Sequence, residues 1–253
     1  MQQAERKDSM TGSLATTTLG WASGASLIVV LVTGLITSPK DANQGEAVRL
    51  LYVHVPMIWI AYGSFIITAV YSGLFVAKAA SRPDLGRHLD RVAGSAAEVG
   101  VVFTGLTLVS GALWGRITWG VYWQWDARLT TTVLMFVTYL GYLALRKLPA
   151  DPYVRSRRAA IVALIATVNL PIVHYSVDWW RTLHQGASIT VGNKPEYTND
   201  ILIALLFAVV AFTLVALWLG IHRYRVIRLE EIREEEGIEM AIAARRAEAE
   251  VGS

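Results

Sequence analysis

The chain has 253 residues, of which 54% are hydrophobic and only 17% are charged, and its mean hydropathy is +0.42. Soluble globular proteins carry about 25% charged residues, so this composition argues against a soluble domain and predicts an integral membrane protein. The absence of cysteine excludes disulfides, thiol chemistry and thioether attachment of a cofactor to this chain. The net charge of +3 is mild, and its placement matters more than its sum. We expect membrane lipid as a partner and no nucleic acid.

Six apolar segments alternate with polar ones. A helix needs about 20 apolar residues to span a membrane, and the segments are 21–37, 51–77, 94–113, 129–145, 159–177 and 201–220. Backbone groups in lipid must find hydrogen-bond partners within their own segment, so each is predicted to be a helix. The sequence thus predicts an all-α integral membrane protein with six transmembrane helices, residues 21–220. Residues 1–20 form an N-terminal segment, and residues 221–253 form a charged helical tail. The first span lacks a cleavage site and is interpreted as uncleaved.

The basic residues near the ends of the spans are unevenly divided. One side carries 14 of them: Arg6, Lys7, Lys78, Arg82, Arg87, Arg91, Arg146, Lys147, Arg155, Arg157, Arg158, Arg223, Arg225 and Arg228. The other side carries six: Lys40, Arg49, Arg116, Arg128, Arg181 and Lys194. Lys and Arg are enriched on the cytoplasmic side of membrane proteins. Both termini are therefore predicted to be cytoplasmic, with loops 38–50, 114–128 and 178–200 in the periplasm. This is the expected layout of a multi-pass protein of a bacterial inner membrane.

The tryptophans are concentrated in two of the loops predicted to face the periplasm. Six of the nine Trp lie in residues 114–125 and 179–180, whereas an aromatic belt would place them at both interfaces. We call residues 114–128 the Trp-rich segment; it contains Trp114, Trp119, Trp123 and Trp125. In water such a cluster would promote aggregation, and indole rings stack on extended aromatic systems. The segment is therefore predicted to be a periplasmic loop that lies on the membrane or holds a large, flat apolar ligand.

Three of the five histidines lie near the same face. His54 is one turn into the second span, His174 is near the end of the fifth, and His184 follows in the last loop. A neutral imidazole is a good ligand for haem iron, although a structural role is commoner for a single membrane histidine. We favour His54 and His184 as a pair of ligands that flank the Trp-rich segment. His174 is the reserve candidate, because it and Asn169 can satisfy backbone groups freed by a kink at Pro171.

Charged residues near the Trp-rich segment have structural and functional interpretations. Arg can hold a haem propionate through paired hydrogen bonds; the alternative is contact with phospholipid. The candidates are Arg49, Arg116, Arg128 and Arg181. Asp126 is predicted to cap the helix of the fourth span; the alternatives are an ion pair with Arg128 and orientation of a ligand histidine. Glu98, the acid deepest in a span, is a candidate for proton or solute transport unless it reaches the inner interface.

The order of these motifs is similar to that of a known family. The stretch Trp114-Gly-x-x-x-Trp-Gly-x-Tyr-Trp-x-Trp-Asp-Ala-Arg-Leu-Thr130 resembles the WWD motif of haem-handling proteins. Tyr52-Val-His-Val-Pro56 and Trp179-Trp-x-x-Leu-His-Gln-Gly186 resemble the flanking segments of the cytochrome c maturation protein C family (CcmC, haem exporter protein C). The resemblance covers about residues 15–222, including the six-span layout.

The resemblance implies a function. His54 and His184 would be the axial ligands of haem b, bound transiently and without a covalent bond. The outer-face platform would comprise Trp114, Trp119, Trp123, Trp125, Asp126 and Arg128. The family delivers haem to the periplasmic haem chaperone CcmE, alongside the small membrane protein CcmD and the ATP-binding-cassette pair CcmA and CcmB. The chain would then present haem for cytochrome c biogenesis and would not be an enzyme.

Two alternatives stay open. A transporter that moves haem or another solute across the inner membrane would use Glu98, Asn169 and Pro171. Against it, the sequence has no Gly-x-x-x-x-Gly-Lys nucleotide-binding loop and no paired charges across its spans. A redox enzyme, such as a quinol oxidase subunit, would hold haem between histidines within the spans, whereas the favoured histidines lie at one membrane edge.

Overall fold

A computed structural model of the protein describes residues 13–186 and 197–251, with side chains up to Arg246. The N-terminal residues 1–12, which include Arg6 and Lys7, lie outside the described residues. So does the part of the predicted last loop at 187–196, which includes Lys194. Over the described ranges the structure is helical, with no strand, and six helical stretches are long and apolar enough to cross a membrane. The predicted fold, an all-α membrane protein with six spans, is confirmed.

Seven α-helices and two short helical segments make up the fold. In chain order the α-helices are α1 (Leu14–Val30), α2 (Leu51–Lys78), α3 (Pro83–Trp119), α4 (Ala127–Leu145), α5 (Pro152–Thr167), α6 (Asn169–Trp179) and α7 (Asn199–Val251). A π-helical segment, Leu31–Ile36, extends α1, and a 3₁₀ turn, Glu46–Leu50, leads into α2. Large apolar side chains remain exposed on several helices, for example Val109 on α3 and Ile165 on α5. In a membrane such side chains face lipid.

Most helices extend beyond the apolar segments predicted from the sequence, and α1 and α3 show this clearly. Helix α1 begins at Leu14 rather than at residue 21, because the Ser13 side chain caps it by accepting a hydrogen bond from the N–H of Thr16. Helix α3 continues to Trp119, so the prediction of a loop was wrong for residues 114–119. The stretch contains no proline, and Gly120 ends α3 with a φ of 77°. Glycine adopts this left-handed conformation without steric cost.

The predicted kink in the fifth span is confirmed as a break between two helices. Helix α5 ends at Thr167 and α6 begins at Asn169. Pro171 has no N–H to donate to the carbonyl of Thr167, and its ring would clash with that carbonyl in a regular helix. Asn169 donates a hydrogen bond from Nδ2 to the Thr131 carbonyl of α4, 2.9 Å away. This hydrogen bond links the start of α6 to α4.

The main core lies between α2, α3, α4 and α5. Phe65 of α2 stacks on Tyr139 of α4, with ring centroids 3.6 Å apart. Small buried residues lie where the other helices pack against this pair, among them Ala97 of α3 and Ala163 of α5. Close backbone approach over small side chains is the usual way helices pack in membranes. Helix α1 lies outside this core and packs mainly on α7.

The tail predicted at residues 221–253 continues α7 without a break at Gly220. Its first turns are bound to the other helices by ion pairs. Glu231 pairs with Arg91 at 2.7 Å, and Glu234 with Arg155 at 3.4 Å. Beyond Glu234 the described side chains are exposed. The tail is thus helical as predicted, but part of it packs on the end of the bundle opposite the Trp-rich segment.

Candidate functional site

His54 lies in the first turn of α2 and faces α3. Its Nδ1 is 3.1 Å from the Ser110 hydroxyl. Its ring packs edge-on against the indole of Trp114, with centroids 5.6 Å apart and planes at 81°. The long contact between α2 and α3 therefore brings His54 and the first residue of the Trp-rich segment together, as the sequence predicted.

His184 lies in the stretch that follows α6. Its Nδ1 is 2.8 Å from the carbonyl oxygen of Gln185. A carbonyl only accepts hydrogen bonds, so Nδ1 carries the proton and Nε2 keeps its lone pair. Burial lowers the pKa of His184, and the charge of Arg128 lowers it further, against the opposing effects of the Gln185 hydrogen bond and Asp126. The imidazole is therefore neutral at pH 7, the form that binds metal ions.

Trp119 and Trp114 connect the two histidines along the last turns of α3. The ring centroid of Trp119 is 6.2 Å from that of His184, again edge-on. Trp114 donates a hydrogen bond from Nε1 to Gln44 Oε1, 3.0 Å away, which ties the segment before α2 to α3. A cavity of about 460 Å³ opens beside Trp119, Gln44 and Gln185. The two tryptophans that the sequence placed in a loop thus stand on a helix, each against one of the predicted ligands.

Asp126 joins α4 to the segment that carries His184. It is the N-cap of α4, as predicted, since its Oδ1 accepts a hydrogen bond from the N–H of Leu129 at 2.8 Å. Its Oδ2 accepts a second hydrogen bond from the N–H of Leu183 at 3.0 Å. This second contact holds the backbone of the residue that directly precedes His184.

Arg128 binds the end of α6. Its Nε donates to the Ser176 hydroxyl at 3.0 Å, and its Nη2 donates to the carbonyl of His174 at 2.8 Å. Its positive charge also lowers the pKa of His184. Arg128 thus has a structural role that the sequence did not predict, in addition to the effect of its charge on His184.

Trp123 and Trp125 lie in the short connection between α3 and α4. Their rings pack edge-on with centroids 5.3 Å apart. Trp125 is 73% exposed, whereas the Nε1 of Trp123 is buried and has no hydrogen-bond partner among the described residues. A buried donor without a partner is costly.

The other candidates near this end make protein contacts. The exposed His174 packs its ring on Tyr175. Arg49 donates to the carbonyl of Ile36 at 2.8 Å. Arg116 donates to the carbonyl of Gly120 and lies over the Tyr122 ring. Arg181 is exposed. Sequence reasoning missed Gln44, Ser110 and Ser176, because an uncharged polar side chain has no distinctive spacing signal.

The comparisons with known proteins agree with this architecture. The model of the family described as Heme exporter protein C matches residues 2–239. The chain is 42% identical over 206 residues to Heme exporter protein C of Haemophilus influenzae, covering 80% of each chain. It is 38% identical over 246 residues to Heme exporter protein C of Bradyrhizobium diazoefficiens, covering 93% of this chain and 87% of the relative. A ccmC-like mitochondrial protein of cytochrome c biosynthesis from Marchantia polymorpha is 39% identical over 174 residues, covering 68% and 70%.

The family match extends over nearly all described residues, including α1 and much of the α7 tail, and so reaches beyond the motifs that carried the resemblance. It confirms the predicted family and the prediction that the chain is not an enzyme. The chain belongs to the Heme exporter protein C family, whose members are membrane components of the cytochrome c maturation system.

Proposed function

We propose that the chain binds haem at the Trp-rich end of the bundle, with His54 and His184 as axial ligands, and presents it for cytochrome c maturation. One observation carries the proposal most strongly. Both imidazoles lie at the same end and have Nδ1 against a protein oxygen. A metal-binding histidine usually donates its second ring N–H in this way, which leaves the other nitrogen for the metal. Two neutral imidazoles are one of the ligand sets that hold haem iron.

The aromatic residues near the two histidines favour a large, flat ligand. Trp114 and Trp119 stand beside the two histidines, and Trp123 adds a buried N–H that has no partner in the described ranges. Indole rings offer large apolar faces to a porphyrin. We propose that Trp114, Trp119, Trp123 and Trp125 form the platform. Asp126 would act by holding the segment that carries His184.

The propionates of haem require positive charge. The charge of Arg128 acts on His184, and we propose that it also offsets the propionate charge while its hydrogen bonds hold α6. The cargo would be haem b, bound transiently and without a covalent bond; the absence of cysteine excludes a thioether link to this chain.

The proposed orientation and partners are those of the family to which the chain belongs. We propose that the Trp-rich end faces the periplasm of a bacterial inner membrane and that the chaperone CcmE receives the haem there. CcmD and the CcmA/CcmB pair would be the membrane partners. The uneven distribution of Lys and Arg supports this orientation.

Transport through the bundle has less support. Glu98 forms an ion pair with Arg223 near the opposite end, and Asn169 is hydrogen-bonded to the Thr131 carbonyl. The polar residues that a pathway would use therefore have protein partners. Sealed vesicles containing only this chain would take up haem if it were a transporter, whereas the proposed function predicts no uptake.

Absorption spectroscopy tests the proposed ligands. Haem added to the purified chain should give a Soret band that is shifted from that of free haem. We expect His54→Ala and His184→Ala each to weaken binding and change the band, and the double variant to abolish it. His174→Ala is the matched control, because His174 lies on the same side and its exposed ring packs on Tyr175. An unchanged spectrum in the double variant would refute the proposed ligands.

A further inference from the structure

The side chain of Ser110 stands between a helix carbonyl and His54. Ser110 is buried in α3, and its hydroxyl donates a hydrogen bond to the Thr107 carbonyl one turn earlier, 3.1 Å away. The same oxygen is 3.1 Å from Nδ1 of His54. A serine hydroxyl has a single proton and two lone pairs. With that proton on the Thr107 carbonyl, the hydroxyl oxygen accepts from His54 through a lone pair.

We infer that Ser110 is a positioning residue that fixes the tautomer of His54. It accepts the Nδ1–H and so leaves Nε2 as the nitrogen with a free lone pair. This inference rests on the proposed function for its purpose, since the lone pair serves to bind haem iron, but the tautomer exists with or without haem. Hydrogen-bonded partners of this kind set the orientation and raise the basicity of a ligand histidine.

Gly111 leaves room for the same ring. A Cβ at this position would lie 2.9 Å from Cε1 of His54 and 3.4 Å from its Nδ1. The first distance is shorter than a carbon–carbon contact allows. Ser110 and Gly111 therefore act as a pair, in which the serine fixes the protonated nitrogen and the glycine leaves room for the ring.

The two proposed ligands differ in how their tautomers are fixed. His184 uses the backbone carbonyl of Gln185, which no side-chain substitution removes. His54 has the Ser110 side chain as a partner, beside the backbone carbonyl of Thr107. Replacement of Ser110 should therefore change the tautomer of His54 and leave that of His184 unchanged.

Nitrogen NMR of the haem-free chain tests the tautomer directly. In protein labelled with ¹⁵N-histidine, the His54 signals are those lost in His54→Gln. We expect the wild-type chain to show a protonated Nδ1 and a bare Nε2 at His54, and Ser110→Ala to show a mixture of tautomers. Ser110→Thr keeps the hydroxyl and should restore the wild-type signal. A wild-type His54 with its proton on Nε2 would overturn the inference.

Ser95→Ala is the matched control. Ser95 is also a buried serine of α3 whose hydroxyl donates to the carbonyl three residues earlier, Val92, at 3.0 Å, but it bonds no histidine. This variant loses the same kind of helix contact and should leave the His54 signals unchanged. Equal changes in Ser95→Ala and Ser110→Ala would overturn the inference, because they would show a general effect on α3.

Haem titration gives the second measurement. Loss of such a partner typically weakens metal binding about 10- to 100-fold, and we expect Ser110→Ala to lower haem affinity about 10-fold on this scale, with Ser110→Thr close to wild type. Gly111→Ala should weaken binding as well. Gly105→Ala is its control, since the added Cβ would be 3.5 Å from Phe136, an ordinary contact. Full affinity in Ser110→Ala would overturn the positioning role. A wild-type chain that shows the protonated Nδ1 but binds no haem would instead refute the proposed function.

Discussion

The Oδ2 atom of Asp126 accepts a hydrogen bond from the backbone N–H of Leu183, 3.0 Å away, across 57 residues of sequence. The other carboxylate oxygen caps α4 by accepting from Leu129. One side chain thus starts the helix after the Trp-rich segment and fixes the backbone next to His184. If His184 binds haem as proposed, its geometry depends on a carboxylate that need not touch the haem.

Substitution of Asp126 by Asn should separate its two contacts. The amide keeps one oxygen, which can still cap α4, but its NH₂ group cannot accept a hydrogen bond from Leu183. We expect Asp126→Asn to leave the stability of α4 near wild type and to increase hydrogen exchange at residues 183–185. Haem binding should weaken. Asp126→Ala should lose the cap as well, at a cost of about 1 kcal/mol.

Asp151→Ala is the control for this pair of variants. Asp151 caps α5 through a 3.0 Å hydrogen bond from the N–H of Val154, far from the Trp-rich end. It should lose about 1 kcal/mol of stability and bind haem normally. If Asp126→Asn bound haem as well as wild type, with unchanged exchange at 183–185, Asp126 would have no positioning role.

The hydrogen bond from Trp114 to Gln44 should stabilise the segment before α2. Trp114→Phe keeps an aromatic ring against His54 but removes the N–H, and we expect a loss of about 1 kcal/mol. Gln44→Leu should lose a similar amount. The double variant should be little worse than either single variant, because both remove the same contact. Unfolding in mild detergent measures all three, and strictly additive losses would contradict the contact.

The number of spans could be predicted because lipid imposes length and helicity on every apolar segment. The helix ends could not. Helix α3 runs to Trp119 since Trp114 and Trp119 pack against histidines from other segments, and such contacts are invisible in a local pattern. Likewise, α7 passes Gly220 and pairs Glu231 with Arg91, 140 residues away. The break before Asn169 was predictable because proline acts locally.

The ion pair between Asp90 and Arg146 should be the most sensitive contact at the end opposite the Trp-rich segment. Both guanidinium Nη atoms meet the carboxylate, at 2.6 and 2.9 Å, and both side chains are only 13% exposed. Arg146→Met would leave a mostly buried carboxylate without its partner, so we expect a loss of about 3–5 kcal/mol. Haem binding should be unchanged in the folded fraction.

Removal of both charges provides the comparison. Asp90→Leu combined with Arg146→Met leaves no unpaired charge and should recover much of the stability lost in the single variant. Thermal unfolding of the three proteins measures this. A single variant as stable as wild type, or a double variant less stable than Arg146→Met, would contradict the structural role.

Glu98 should have no part in haem handling. Its ion pair with Arg223 is partly exposed, and such pairs contribute at most about 1 kcal/mol. We therefore expect Glu98→Gln to fold, to bind haem with wild-type affinity and to support cytochrome c maturation in cells that lack their own copy of this protein. Loss of maturation with normal haem binding would favour the transport alternative.

The site itself was only partly readable from the sequence. His54, His184 and the four tryptophans stand out because their residue types are rare and chemically distinctive. Ser110 and Gln44 do not stand out, since serine and glutamine occur in many helices for other reasons. Arg128 was noticed for its charge, but its hydrogen bonds to α6 depend on the three-dimensional arrangement.

Magnetic circular dichroism of the haem-loaded chain, recorded with electron paramagnetic resonance, tests the central claim most directly. Two imidazole ligands predict a low-spin ferric haem with a bis-histidine signature. Removal of either ligand, in His54→Ala or His184→Ala, should convert it to a high-spin, five-coordinate form that added imidazole returns to low spin. A wild-type haem with one or no histidine ligand, or a low-spin signature that persists when either histidine is replaced, would contradict the account.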